Sequence, residues 1–149
     1  MSYLLTDKIR IFVSSRLEEC AEERANARNA ILSLDHEPVM FEAAGARPYP
    51  PQSIYLQGVE DAHIFVGIYK EGYGYIAEGM DVSGLEDEYQ YEKRCGQTQL
   101  LYVQKNFKRD ERLEKVISDF SNLVTVFFFE SPSGLYDRLR QDIASLVTE

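Results

Sequence analysis

Cysteine, histidine and basic side chains are scarce in this 149-residue chain, and each shortage removes a class of function. The two cysteines, Cys20 and Cys95, stand far apart without metal-ligand spacing. That excludes a sequence-coded zinc site or disulfide framework and predicts reduced thiols, as in the cytoplasm. The two histidines, His36 and His63, lack metal-type spacing too, so no metal is expected. His63 reads as a packed strand residue and His36 as a surface turn residue. Lys and Arg total 16 against 25 Asp and Glu, a formal net charge of −9. So acidic a chain lacks the basic stripe with which proteins grip nucleic acid or anionic membranes, leaving room only for a local cationic pocket. The longest apolar runs, such as Leu123 to Phe129, are about a strand long, far short of the ~20 residues that span a bilayer. The N-terminus has no basic segment followed by an apolar one, so a secretory signal is not expected and a cytoplasmic location is. Three motifs are also missing: the phosphate-cradling G-x-x-x-x-G-K-[ST], a G-x-G-x-x-G after the first strand, and the G-x-S-x-G nucleophile elbow.

What is present is a chain 44% hydrophobic, enough for one globular domain over residues 1–149 with a real core. Strand-like and helix-like segments alternate along it. Lys8 to Val13 is mostly β-branched and apolar, and from Leu17 the apolar spacing turns helical through Ile31 and Leu34. Glu37 to Phe41 reads as a short second strand, the proline-rich stretch from Gly45 to Pro51 as loop, and Gln52 to Val59 as a short helix. Ala62 to Ile68 is a nearly unbroken apolar run, as expected of a central parallel strand covered on both faces. After the long Tyr69–Val82 stretch, Ser83 and Glu86 form a capping-box pattern opening a helix that Gly96 stops. Gln99 to Val103, Asp110 to Phe120, Val124 to Phe129 and a helix begun by Ser131-Pro132 complete the series.

Repeated βα alternation selects a parallel sheet sandwiched between helices: an α/β three-layer fold, five strands in the flavodoxin-like order 2-1-3-4-5. In that order the winding reverses between strands 1 and 3, and ligands bind at the carboxyl ends of those strands. Three segments therefore surround one crevice: Ser14-Ser15-Arg16, the Tyr69–Val82 loop and the start of the Ser83 helix.

Each of these carries candidate chemistry beside a structural alternative. Ser14 or Ser15 can cap the first helix, or with Arg16 can bind a phosphate or carboxylate. Tyr69, Tyr73 and Tyr75 can pack the loop, or offer rings to a flat base. Glu42, closing strand 2, can meet a ribose or water. Glu22, Glu23, Arg24 and Arg28 read as intrahelical ion pairs. In the run Glu86-Asp87-Glu88, the first two suit the helix dipole, whereas Glu88 lies past the cap and points about 200° away from Glu86.

In order along the chain stand Ile11 to Ser15, Glu22-Glu23-Arg24, Phe41-Glu42, Asp61 to Ile68, Tyr73-Gly74 and Glu86 to Tyr89. Together they resemble a domain-of-unknown-function family often found at the N-termini of NACHT-type and other STAND ATPases. That family is similar to TIR domains and, more distantly, to nucleoside 2-deoxyribosyltransferases. The resemblance runs from about Lys8 to Leu146 and implies a TIR-like domain, an N-terminal module of a larger assembly. TIR enzymes cleave NAD at the nicotinamide–ribose bond with a Glu opening the helix after the long loop and a Ser five residues before it. Ser83 and Glu88 stand at that spacing. The resemblance thus implies Glu88 as the catalytic carboxylate with Glu86 second, Ser83 before it, and the family's strand-1 polar turn at Ser14 and Ser15 beside Arg16. Joined to the residue reading above, the expected substrate contacts are Ser14, Ser15, Arg16, Glu42, Tyr69, Tyr73 and Ser83. Leu85 occupies a position where the related patterns carry Cys or Thr.

Two readings follow. In the first, the chain is an N-glycosidase acting on NAD or a similar small nucleotide, with NAD as substrate rather than cofactor, working as a homo-oligomer. In the second, the same fold is a non-catalytic signalling or oligomerisation module. A flavin-binding protein fits less well, because the strand-1 turn lacks a Ser/Thr/Gly-rich phosphate loop.

Overall fold

The computed structural model describes residues 8–41 and 51–148. Among these residues ten elements alternate: β1 (Arg10–Ser14), α1 (Ala21–Ser33), β2 (Glu37–Val39), α2 (Pro51–Asp61), β3 (Ile64–Tyr69), α3 (Gly84–Cys95), β4 (Thr98–Gln104), α4 (Glu111–Ser121), β5 (Val126–Phe129) and α5 (Pro132–Thr148). All strand pairs are parallel, and the order is β2-β1-β3-β4-β5, as the alternation predicts. The period-2 alternation of side chains divides the core into two halves. Ile9, Ile11, Val13, Ile64, Val66 and Ile68 face α1 and α5, where Ala27, Ala30, Ile31, Leu135, Leu139 and Ile143 meet them. Phe12, Phe65, Tyr69, Leu101 and Val103 face α2, α3 and α4, against Val59, Leu85, Tyr89, Leu113 and Phe120. Every residue of β3 is buried, which is why its sequence shows no polar alternation.

Several boundaries differ from the sequence reading, each for a local reason. β3 extends to Tyr69, so that residue belongs to the strand and not to the loop. α1 starts at Ala21 rather than near Leu17, and neither Ser14 nor Ser15 caps it: Cys20 is the N-cap, with no side-chain cap bond. The serine hydroxyls are used elsewhere, as described below. The capping box is half formed. Ser83 Oγ accepts the Glu86 N–H at 3.2 Å, but the Glu86 carboxylate turns to the Tyr73 hydroxyl, whose oxygen accepts the Ser83 N–H. His36 is buried, not a surface residue, because its Nδ1 accepts the Ile9 N–H at 3.2 Å; burial lowers its pKa. His63 stands just before β3, its Nδ1 accepting the Arg10 N–H. Both cysteines are free thiols, and burial above all, then Glu19, pushes that of Cys20 up to about 12.

Gly67 shows how tightly β3 is packed at its centre. A Cβ there would lie 2.5 Å from the Tyr69 hydroxyl oxygen and 2.8 Å from Leu101 Cδ2. Gly67→Ala is therefore an overpacking change, expected to cost about 1–3 kcal/mol. Its thermal midpoint should fall by several degrees, and an unchanged melt would show that β3 yields more readily than this packing implies.

Candidate active site

The carboxyl ends of β1 and β3 open into a cavity of about 440 Å³, a size suited to a small ligand. Glu88 lies on the inner face of α3 and lines this cavity while only 9% exposed. Its Oε1 accepts a 2.7 Å hydrogen bond from Ser14 Oγ, a contact across 74 positions of sequence. The switch in winding direction creates that contact: Ser14 ends β1, and the long β3–α3 connection brings α3 back over it. Helical geometry then sorts the acidic run. Glu88 faces the sheet, Asp87 faces α2 and Glu86 faces the loop.

Arg24 is the surprise of the site. Glu22, Glu23, Arg24 and Arg28 are predicted as intrahelical pairs, yet Arg24 is 2% exposed and lines the cavity. Its Nη1 donates to Ser15 Oγ at 2.8 Å, to Ser15 O at 3.2 Å and to Val13 O at 3.3 Å, fixing the turn that follows β1. Glu23 is buried as well, 3.8 Å from Lys70 Nζ. The sequence signal was available: Arg24 falls on the same helical stripe as Ala27 and Ile31, the inward face of α1. Ser15 thus meets Arg24 and lines the cavity.

Arg16 lines the cavity rim, its side chain 40% exposed and its Nη1 2.8 Å from Glu19 Oε2. Glu19 Oε1 accepts the N–H groups of Glu71 at 3.0 Å and Gly72 at 3.1 Å, tying the loop after β3 to the turn before α1. At Gly72 a Cβ would fall 2.0 Å from Arg16 Nη1, so a side chain there would displace that guanidinium. Two guanidinium groups and the carboxylates of Glu18 and Glu88 thus face one opening.

Several predicted contacts lie elsewhere. Tyr69 is completely buried with its ring centroid 5.0 Å from that of Phe120, so it cannot stack on a ligand in the cavity. Tyr73 is 3% exposed, committed to Glu86 and covered by the Arg112 guanidinium at 4.6 Å. Glu86 is held by Tyr73 and Gln90 and does not line the cavity. Ser83 is fully buried as the α3 cap. Glu42 lies outside the described residues.

Other side chains take the places those residues were expected to fill. Tyr75, 80% exposed, stands at the cavity mouth, with Leu17 and Phe41 as further apolar surface. Tyr55 of α2 lines the cavity, its hydroxyl donating to Asp87 Oδ2 at 2.7 Å while Gln52 Nε2 donates to the same oxygen at 2.9 Å. Burial and the Asp87 bond hold the Tyr55 phenol protonated. Asp87 therefore seats α2 on α3. Leu85, where related patterns carry Cys or Thr, also lines the cavity.

The sequence pattern of the domain-of-unknown-function family DUF4062 matches residues 10–144. The chain belongs to the DUF4062 family. No curated protein matches it. Among solved structures this DUF4062 domain is similar to the Clostridium botulinum CMP N-glycosidase BcmB, with a TM-score of 0.60 and 11% identity over 89% of this chain and 98% of that one. It is also similar to rubredoxin oxygen:oxidoreductase from the anaerobe Desulfovibrio gigas, with a TM-score of 0.55 and 10% identity, covering 97% of this chain but 36% of that longer one. At these identities the likeness is one of fold. The DUF4062 domain thus shares its α/β fold with these two proteins, and among the described residues no helix is long and apolar enough to cross a membrane.

Proposed function

We propose that this DUF4062 domain is a TIR-like N-glycosidase that cleaves NAD at the nicotinamide–ribose bond, with Glu88 as the reacting carboxylate. The observation that carries this reading is the burial of Glu88 in the cavity, with Ser14 Oγ donating to it at 2.7 Å. The chemistry asks little more of the protein. The C1′–N bond breaks with its electron pair going to the pyridinium nitrogen, so nicotinamide leaves neutral and needs no proton from an acid. The oxocarbenium-like ribosyl centre is met by the Glu88 carboxylate, as ion pair or ester. Water then adds at C1′ and gives its proton to Glu88, which returns it to solvent. Arg24 and Arg16 suit the substrate's anionic groups, whereas Tyr75, Phe41 and Leu17 suit a base.

The domain acts as a homo-oligomeric module at the N-terminus of a larger STAND-type assembly, in a cytoplasmic setting. A second reading, the non-catalytic signalling module, is favoured by one observation: Leu85 places an apolar side chain in the cavity where a hydroxyl or thiol is expected.

The test is release of free base by the purified domain, soluble and artificially clustered, from NAD and, given the fold neighbour, from CMP. Nicotinamide release supports the proposal. Cytosine release alone moves the substrate to a pyrimidine nucleotide, and release of neither base favours the module. Tyr75→Ala serves as a companion. Loss of one stacking surface, worth about 1–2 kcal/mol, should raise KM roughly tenfold with kcat little changed. Its melting temperature should stay at wild type because the ring is 80% exposed. An unaltered KM would remove Tyr75 from the binding surface.

A further inference from the structure

One buried group beside the site has no structural use. Tyr69 is fully buried, and its hydroxyl has no hydrogen-bond partner among the described residues. Phenylalanine would fill the same space without stranding a polar group, so the hydroxyl is a cost the fold bears. A second concession accompanies it. The hydroxyl sits over Gly67, where a Cβ would stand 2.5 Å from its oxygen, so the central strand gives up a side chain to make room for it.

The register shows what lies next to this hydroxyl. Gly67 pairs directly with Ser14 across β1 and β3, and paired residues of parallel strands share a face. Ser14 is the donor that holds Glu88 Oε1. The stranded phenol therefore lies on the same face of the sheet, one strand away from the Ser14–Glu88 pair. Burial and then the Glu88 charge push its pKa well above the ordinary range, so it stays a donor at every physiological pH.

We propose that the Tyr69 hydroxyl is a positioning donor for Glu88, engaged when the carboxylate gives up part of its bond to Ser14 to meet the substrate. This rests on the reading of Glu88 as the reacting carboxylate. When one oxygen turns to the ribosyl carbon, the other falls back toward the sheet. The phenol, already desolvated there, gives it a hydrogen bond without any water being reorganised. Of the other groups around this site, Arg24 from α1 donates to the Ser15 turn and Tyr55 from α2 donates to Asp87. Tyr69 touches no substrate atom and acts only through Glu88.

Tyr69→Phe isolates the hydroxyl. In an active enzyme kcat should fall about tenfold with KM unchanged, because the donor acts on the carboxylate, most strongly when it is engaged, and touches no substrate atom. The decisive readout does not need turnover. In a ¹³C carboxyl NMR titration of the free protein, with the Glu88 signal assigned by its loss in Glu88→Gln, the Glu88 midpoint should rise by about half a pH unit or more when the nearby donor dipole is removed. The melting temperature should hold or rise, since the variant loses a stranded hydroxyl. An unmoved Glu88 titration overturns the proposal whatever the rate, and so does an unchanged kcat in an enzyme that turns over. A fall in melting temperature with the titration unmoved assigns the hydroxyl to packing. If the wild-type domain releases no base from any nucleotide, the glycosidase reading fails by itself and the titration alone decides this inference.

Discussion

Glu88→Gln is expected to abolish base release by the DUF4062 domain while leaving its fold intact. The amide keeps an oxygen to accept the Ser14 hydroxyl, so the 2.7 Å contact and the packing of α3 survive. What disappears is the negative charge opposite the developing ribosyl cation, and with it the base for the attacking water. Loss of a positioned acid–base group alone is worth about 10²–10⁴ in rate, and loss of the nucleophile adds to this. The expected outcome is turnover reduced at least a hundredfold, with the circular dichroism spectrum and the melting temperature, within a degree or two, at wild-type values. Rates from NAD would be measured for both proteins at equal concentration and equal degree of clustering. Turnover that persists in the variant would falsify the assignment of Glu88. It would not shift the role to Glu86, whose carboxylate is bound to Tyr73 away from the cavity.

The second large effect concerns stability and lies one turn further along the same helix. Glu92 is fully buried; the Gln99 side-chain amide donates to its Oε2, and its Oε1 has no partner. Burial, only partly offset by the bonds from Gln99 and the Gln97 backbone, pushes its pKa from 4.5 up to about 7. The folded state therefore holds this proton more tightly than the unfolded chain does. The stabilisation is complete below the unfolded value of 4.5 and is lost as pH rises through about 7. A separation of that size corresponds to about 3 kcal/mol at pH 8. Glu92→Gln carries no charge at any pH. Its melting temperature should exceed that of the wild type by several degrees at pH 8, and the two should converge below pH 5. His36 works in the opposite sense, because its lowered pKa removes stability as pH falls below 6.5. It is present in both proteins and cancels in the difference. Equal melting temperatures at pH 8 would mean that Glu92 keeps its charge in the folded protein at little cost.

Glu92 also illustrates why part of the interior is hidden from the sequence. A glutamate in the last turns of an acidic helix is indistinguishable, read alone, from one that faces water. Glu23 and Arg24 present the same difficulty. Their spacing fits intrahelical ion pairs, and although Arg24 falls on the inward stripe of α1, the packing of α1 against the end of β1 is what gives it the Val13 and Ser15 carbonyls. The tyrosines were misplaced for a related reason. A loop rich in Tyr and Gly suggests a binding surface, but the strand runs one residue further than its aliphatic part, and that residue is Tyr69. One step of the pleat puts its ring in the core, and the exposed aromatic surface passes to Tyr75.

The sequence by itself determined the alternation of strands and helices, the five-stranded parallel sheet and its order 2-1-3-4-5, because hydrophobic period and cap chemistry are local properties that each segment carries with it. It also placed the crevice at the ends of strands 1 and 3, since the reversal of winding follows from the order of elements alone. Which face of each element points into that crevice was decided only by tertiary structure. The bonds that make the site join Ser14 to Glu88 across 74 positions and Arg24 to Ser15 across nine, and the Ser14–Gly67 pairing brings β3 beside them. Whether a carboxylate, guanidinium or phenol is buried depends on what distant segments lay against it, and no local pattern records that.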